Sequence, residues 1–218
     1  MKDNIKRETS CPLWIAIIVG IIFLGWIYAV ANSAGWIHSF DQALISTLAS
    51  KNASAISFAQ HFTVLANTKV MVVLTTLAAI IFWLCKQHNA AYLIASAQIL
   101  TSGCNLKNTI RRARPTVKHL VSAHGFSFPS GHSCASMALF LSLALVCLLL
   151  IKRKPLCICL FILLLIIPLI IGWTRITLHV HFPSDVCGGF LEAIFFTTAA
   201  YAFFSNRILQ EQINRRKV

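Results

Sequence analysis

Negative charge is scarce in this chain of 218 residues: six Asp and Glu stand against 19 Lys and Arg, a formal net charge of +13. Charged residues of both signs make up only 11% of the sequence, less than half of the ~25% usual in a soluble domain. So little polar material cannot coat a water-soluble globule of this size. Glycine and proline are also few, nine and six, which excludes a collagen-like fibre, and the apolar content excludes a disordered chain. The eight cysteines, at 11, 85, 104, 134, 147, 157, 159 and 187, contain no C-x-x-C pair. Zinc and dithiol chemistry are therefore not indicated. The cysteines read as small packing residues, with a Cys104–Cys187 disulfide left open. No carboxylate cluster is present to hold a metal ion.

Apolar residues are abundant, 57% of the chain, with a mean hydropathy of +0.75. Six runs approach the ~17–25 residues that cross a bilayer, at about 12–31, 70–85, 90–105, 134–151, 155–173 and 186–204. The expected fold is all-α: a polytopic membrane protein whose six transmembrane helices form one integral-membrane domain over residues 1–218. Ala29-Val30-Ala31 looks like a signal-peptidase site, but the apolar stretch before it is longer than a signal core, so an uncleaved first helix is expected. Between the first two runs, Phe40, Leu44, Ile45 and Leu48, then Phe58, Phe62 and Leu65, repeat at helical spacing. They predict short interfacial helices on the outer face, packed over the bundle or gating lipid entry from within 32–69.

Basic clusters orient the chain. Lys2, Lys6 and Arg7, then Lys86, then Lys152-Arg153-Lys154, then Arg207, Arg215, Arg216 and Lys217 all fall on one side of six spans. That side is expected to be the cytoplasm, with both termini inside a cell (inner or plasma) membrane. The same placement argues against nucleic acid, which calls for a solvated basic face with base-reading or stacking groups. One outward segment breaks the charge rule: residues 106–133 hold Lys107, Arg111, Arg112, Arg114 and Lys118 and no acid. Such a loop implies an anionic ligand.

Three polar constellations fall on this outer face: Lys107-x6-Arg114-Pro115, Pro129-Ser130-Gly131-His132, and Thr174-Arg175-x5-His181-x3-Asp185. Singly, each has an ordinary structural explanation as a solvated loop, a turn and cap, or a local hydrogen bond. Together they form a chemistry. A phosphoryl group in transfer spreads negative charge over three oxygens, and catalysis is mostly positioning and charge stabilisation. Lys107, Arg114 and Arg175 supply cations, and Ser130 and Gly131 supply a hydroxyl and backbone N–H groups at a helix N-terminus. His181 has an orienting carboxylate in Asp185, and Pro183 fits the first helical position of the last run. His132 suits a general acid. His179 has no acceptor side chain four residues on and reads as structural. His119 and His124 flank the site. Glu192, inside the last run, is expected to pair with a polar group of the third helix or to line the cavity below the site.

These three stretches resemble the signature motifs of the type 2 phosphatidic acid phosphatase (lipid phosphate phosphatase) superfamily, K-x6-R-P, P-S-G-H and S-R-x5-H-x3-D, over residues 107–185. Thr174 stands where that family usually has serine. The resemblance implies a hydrolase without metal or other cofactor, acting on a lipid phosphate in the bilayer. His181 would form a phosphohistidine, Asp185 would orient it, and His132 would be the acid. Lys107, Arg114, Ser130, Gly131 and Arg175 would hold the phosphate. Phosphatidic acid, phosphatidylglycerophosphate and undecaprenyl pyrophosphate are the substrates it implies. Arg111, Arg112, Lys118 and His119 add positive charge beyond the motifs, expected either to contact the headgroup and favour a lipid with a second phosphate or to attract anionic lipid headgroups. A phosphotransferase on the same scaffold, a lipid-phosphate binder or transporter without chemistry, and a vanadate-dependent haloperoxidase are the rival readings.

Overall fold

The computed structural model describes the backbone of residues 2–215 and the side chains of residues 12–215. The side chains of Lys2, Lys6, Arg7 and Cys11, and all of Arg216 and Lys217, lie outside the described residues. Among the described residues the structure is helical, with no strand. In chain order the helices are α1 (Lys2–Ala31), α2 (Gly35–Leu48), α3 (Ala53–Phe62), α4 (Thr68–Leu84), α5 (His88–Gly103), α6 (Leu106–Ile110), α7 (Gly131–Leu150), α8 (Lys154–Thr177) and α9 (Pro183–Arg215). A 3₁₀ turn, Thr63–Ala66, joins α3 to α4.

Four helices have the length and apolar composition of a membrane span: Pro12–Ala31 of α1, α7, α8 and α9. A fifth is reached if Ala53–Ala66 and Thr68–Leu84, bent by 52° at their junction, count as one broken span. The second and third expected spans appear as α4 and α5, with 17 and 16 residues. Both fall short of the ~20 residues of a full crossing. Large apolar side chains stand exposed along α1 (Leu13, Ile18, Ile21, Leu24) and α8 (Ile158, Ile162, Leu163, Leu169). On this scale such a surface belongs against lipid, and the chain is a membrane protein.

Inside the bundle, α9 packs against α1, α5 and α7, and α7 also against α5 and α8. In lipid there is little hydrophobic drive between helices, so close backbone approach carries the packing. Small side chains make that approach possible: Ala90 and Ala97 of α5, Ala138 of α7 and Ala193 of α9 are all fully buried. The ends of α9 are pinned by polar groups. Near its C-terminus Glu211 accepts from the His88 and Asn89 backbone N–H groups at 3.1 and 3.2 Å, capping α5. At its N-terminus Trp26 of α1 donates to the Ser184 carbonyl at 3.0 Å. All seven cysteines in the described region are free thiols, so Cys104 and Cys187 do not pair.

Candidate active site

The link between α8 and α9 sets the geometry. After α8, His179 takes a left-handed conformation (φ 59°), and the Val180 N–H returns to the Arg175 carbonyl at 3.2 Å. This is a helix-ending reversal, and it gives His179 a structural task. The chain then delivers His181 to the interior, 3% exposed. Pro183 starts α9, as its fixed φ and missing N–H favour. Asp185 thus falls in the first turn, where its Oδ2 accepts from the Phe182 N–H at 2.8 Å.

The imidazole of His181 is held in one tautomer. Its Nε2 lies 3.1 Å from Arg114 Nη1. A guanidinium only donates, so Nε2 must carry the lone pair and Nδ1 the proton. That Nδ1–H faces Ser127 Oγ at 3.4 Å and Asp185 Oδ2 at 3.6 Å. The Ser127 hydroxyl itself donates to Asp185 Oδ2 at 2.5 Å. Burial pushes the pKa of His181 down to about 4, against the opposing pull of Asp185, so the ring is neutral at pH 7 with its lone pair directed at the guanidinium.

A cavity of about 700 Å³ is lined by Lys107, Arg114, Gly131, His132, Arg175 and His181, with His124 and Glu192 also on its wall. Each cation is fixed differently. Arg114 donates to the carbonyls of Val180 (2.7 Å), His124 (2.9 Å) and Gly125 (3.0 Å). Gly125 takes a positive φ of 69°, a turn that glycine adopts without strain. Lys107, on α6, donates to the Phe126 carbonyl at 3.3 Å. Burial, with Arg114 adding to it, moves its pKa below the usual lysine value. Arg175, near the end of α8, donates through Nη1 to Thr63 Oγ1 at 2.8 Å, while its buried Nε–H has no protein acceptor. An unpaired buried donor beside two further cations leaves an opening for an anion.

The Pro-Ser-Gly-His stretch forms the start of α7. Ser130 is its N-cap, fully buried, accepting from the Ser133 backbone N–H and hydroxyl at 3.5 and 2.9 Å. Its own N–H donates to the Asp185 carbonyl at 3.0 Å, fastening the second motif to the third. Ser130 therefore stands behind the cavity wall, and Gly131 on it. His132 Nε2 lies 3.0 Å from Asn67 Oδ1.

The expected headgroup residues do not line the cavity. Arg111 is exposed and bonded to the Asn108 carbonyl at 3.0 Å, Lys118 is exposed, and His119 Nε2 contacts the Pro115 carbonyl at 2.9 Å. Arg112 turns away from it to pair with Asp41 and Asp185, both at 2.7 Å. His124 is the flanking residue that does line it. Glu192 lies on the wall as expected, and its buried carboxylate accepts from Cys134 Sγ of α7 at 2.9 Å and from the Cys104 thiol that closes α5, the third expected span. Sequence reasoning missed Ser127, Asn67 and Asp41. The available signals were a lone serine between Phe126 and Phe128, just before the second motif, and a rare acid within a short amphipathic helix. Among the described residues no group of three or more His, Cys, Asp or Glu is arranged to hold a metal ion.

The family model of the PAP2 superfamily matches residues 86–209, more than half of the sequence and all three motifs. The chain belongs to the PAP2 superfamily. Within that superfamily, phosphatidylglycerophosphatase B of Bacillus subtilis (strain 168) is 36% identical over 89 residues, 39% of this chain. The matched stretch spans 42% of that relative's length. Among solved PAP2-type folds, the transmembrane phosphatidylglycerolphosphate phosphatase from Bacillus subtilis superposes with a TM-score of 0.71 at 23% identity, covering 87% of this chain and 96% of that one. LpxE of Aquifex aeolicus gives a TM-score of 0.59 at 23% identity, covering 73% and 93%. Both share the fold of this chain.

Proposed function

We propose that this protein is a membrane lipid phosphatase working through a phosphohistidine, with His181 as nucleophile. The observation that carries the reading is the fixed tautomer of His181: a neutral ring whose Nε2 lone pair faces Arg114 on the wall of the cavity that Lys107 and Arg175 also line. Nε2 attacks phosphorus, the bond from phosphorus to the lipid oxygen breaks, and His132 protonates the leaving alkoxide. Water then attacks the phosphohistidine, giving its proton to His132 and releasing inorganic phosphate. Asp185 and Ser127 hold the Nδ1 proton throughout, the orienting task of a triad's carboxylate. The three cations and the N–H groups at Gly131 take up the charge that develops on the equatorial oxygens. With those groups in place, no step of this route calls for a metal ion.

The surroundings favour a lipid. A second, apolar cleft of about 440 Å³ runs between α4 and α5, and Val72 and Gln98 line both it and the catalytic cavity. An acyl or prenyl chain in that cleft would place a phosphate among the cations. Phosphatidylglycerophosphate, undecaprenyl pyrophosphate and phosphatidic acid all meet this description. We place the site on the extracytoplasmic face of a six-crossing bundle with both termini in the cytoplasm, α2 and α3 lying at the interface and α4 and α5 as short crossings. The grouping of Lys86, Lys152–Lys154 and Arg207 on the opposite side supports that orientation.

The test is phosphate release from these three lipids by purified protein in EDTA, with His181→Ala beside wild type. Wild type is expected to release phosphate despite the chelator and the variant to lose activity by ~10³-fold or more. Near-normal turnover by His181→Ala ends the mechanism, and strict metal dependence ends the metal-free route. A phosphotransferase would show itself by a phosphorylated acceptor in place of inorganic phosphate.

A further inference from the structure

The first turn of α9 is gripped by two residues that do not line the cavity, Asp41 and Arg112. Asp41 of α2 is 2% exposed. Its Oδ1 accepts from the Ser184 N–H and its Oδ2 from the Ser184 hydroxyl, both at 2.8 Å. The same Oδ2 meets Arg112 Nη2 at 2.7 Å. The other arm of that guanidinium, Nη1, donates to Ser184 Oγ at 2.6 Å and to Asp185 Oδ1 at 2.7 Å. The Phe182 ring stacks on the guanidinium, 4.4 Å from its centroid to Cζ, and fixes its plane. Helix α2 is itself anchored: Trp36 and Phe40 pack edge-on against Trp26 at 5.4 and 5.5 Å, and Trp173 donates to the Leu48 carbonyl at 2.9 Å.

The two oxygens of Asp185 have separate duties. Oδ2 serves Ser127, the Phe182 N–H and His181, and Oδ1 serves Arg112. With Oδ1 pinned, the carboxylate cannot rotate away from the imidazole. Charge matters as well. A guanidinium facing Asp185 alone would draw its negative charge away from the Nδ1–H; shared with Asp41, it leaves Asp185 a better acceptor.

The geometry points to Asp41 and Arg112 as positioning residues for the reaction proposed above, the pair fixing the rotation and charge of Asp185 so that the seating of α2 on α9 sets how firmly the Nδ1–H of His181 is held. This rests on His181 being the nucleophile. It also replaces the headgroup task expected of Arg112 with one behind the site.

The experiment compares full-length wild type, Asp41→Asn, Arg112→Gln and the double variant in detergent, with two readouts. In lipid-phosphate hydrolysis, Asp41→Asn is expected to lower kcat about tenfold and Arg112→Gln ~10–100-fold, the loss typical when a histidine's supporting partners go. KM should hold within about twofold, because the substrate-facing cations are untouched. The double variant should recover part of the Arg112→Gln loss, since Asp41 no longer stands as an unpaired charge beside Asp185. In ¹⁵N spectra of labelled histidine, His181 should keep its proton on Nδ1, since Arg114 still faces Nε2, but the Nδ1 resonance should shift and its proton exchange faster in both single variants. Wild-type kcat in both single variants, strict additivity in the double, or parallel losses in kcat, KM and thermal midpoint would overturn the inference. A wild type that hydrolyses no lipid phosphate would refute the phosphatase reading; the spectra still decide the positioning role, an unchanged Nδ1 resonance and exchange rate refuting it and a shifted one upholding it.

Discussion

Gly189→Ala is a one-carbon change at a close approach of α9 to the start of α7. A Cβ built there lies 2.7 Å from the Ser130 carbonyl oxygen, 3.2 Å from the Cys134 nitrogen and 3.3 Å from Ser133 Cβ. The first contact is short of the 3.4 Å at which ordinary van der Waals contact begins by roughly 0.7 Å, and the atom it meets is backbone, with no rotamer to yield. The helices must separate, and overpacking of this kind costs about 1–3 kcal/mol. The displaced groups are catalytic neighbours: the Ser130 carbonyl accepts the opening hydrogen bond of α7 from the Cys134 N–H at 2.9 Å, and the Ser130 N–H donates to Asp185 at 3.0 Å. Moving Gly131 and His132 away from His181 by even part of ~1 Å should lower kcat by tenfold or more, since a full ångström costs ~10²-fold. The thermal midpoint in detergent should fall by several degrees, at about 2–4 °C per kcal/mol for a chain of this size. Gly25→Ala is the control, because nothing lies within 4 Å of a Cβ at that position. A Gly189→Ala protein with both wild-type kcat and a wild-type midpoint would refute the claim that this helix contact holds the two motifs in register.

Because burial places the pKa of His181 near 4, below the ordinary value of 6.5, the proposed nucleophile stays neutral down to about pH 5. The acid limb of kcat/KM should therefore lie near pH 4, and a limb near 6.5 would contradict the buried site. The unfolded chain takes up this proton first, so stability also falls as pH drops from about 6.5 through 4, and a thermal midpoint measured at each pH separates the two effects. Ser127→Ala removes a hydrogen bond to a buried carboxylate, a loss of about 1.5–3 kcal/mol that should appear as a drop in kcat of roughly tenfold or more with KM little changed. Val72→Trp would fill the junction of the apolar cleft and the cavity. It should lower kcat/KM for long-chain lipids roughly tenfold while a water-soluble phosphomonoester loses much less, and equal losses on both would argue against the cleft as a tail site.

How much of this was legible in the sequence follows from the kind of signal each feature leaves. The three motifs are local, with helix starts, caps and fixed spacings, and Lys107, Arg114, Gly131, His132, Arg175 and His181 do converge on one cavity. The apolar runs located every long helix, and they place the ends of α4 and α5 to within two residues. Their ends are set by neighbours: Asn67 precedes α4 at the bend beside His132, and Glu211 of α9 caps α5 from across the bundle. Arg112 was misread. Its neighbours in the chain are cations, and only the fold brings Asp41, 71 residues away, to its side. Ser130 was read as either cap or ligand. In the structure its hydroxyl caps α7 and its N–H joins the motifs.

The shortage of acid with which the sequence began explains the basic loop. Asp41 and Asp185 flank one guanidinium, Glu211 caps a helix and Glu192 accepts from a thiol on the cavity wall, so each of the four acidic side chains described has a structural partner. Among the described residues no acid forms an ion pair with Lys107, Arg114 or Arg175, and a buried cation without a counter-ion is costly. The protein offsets that cost with carbonyls for Lys107 and Arg114 and with a hydroxyl for Arg175, neutral dipoles that hold a cation without cancelling its charge. A carboxylate placed among them would stabilise the empty site and compete with a phosphate for the same donors. On the proposed reading the loop of 106–118 works against the charge rule for outward segments because its cations serve two tasks: Lys107 and Arg114 are left for an anion, and Arg112 holds apart the two carboxylates that would otherwise repel beside the proposed nucleophile.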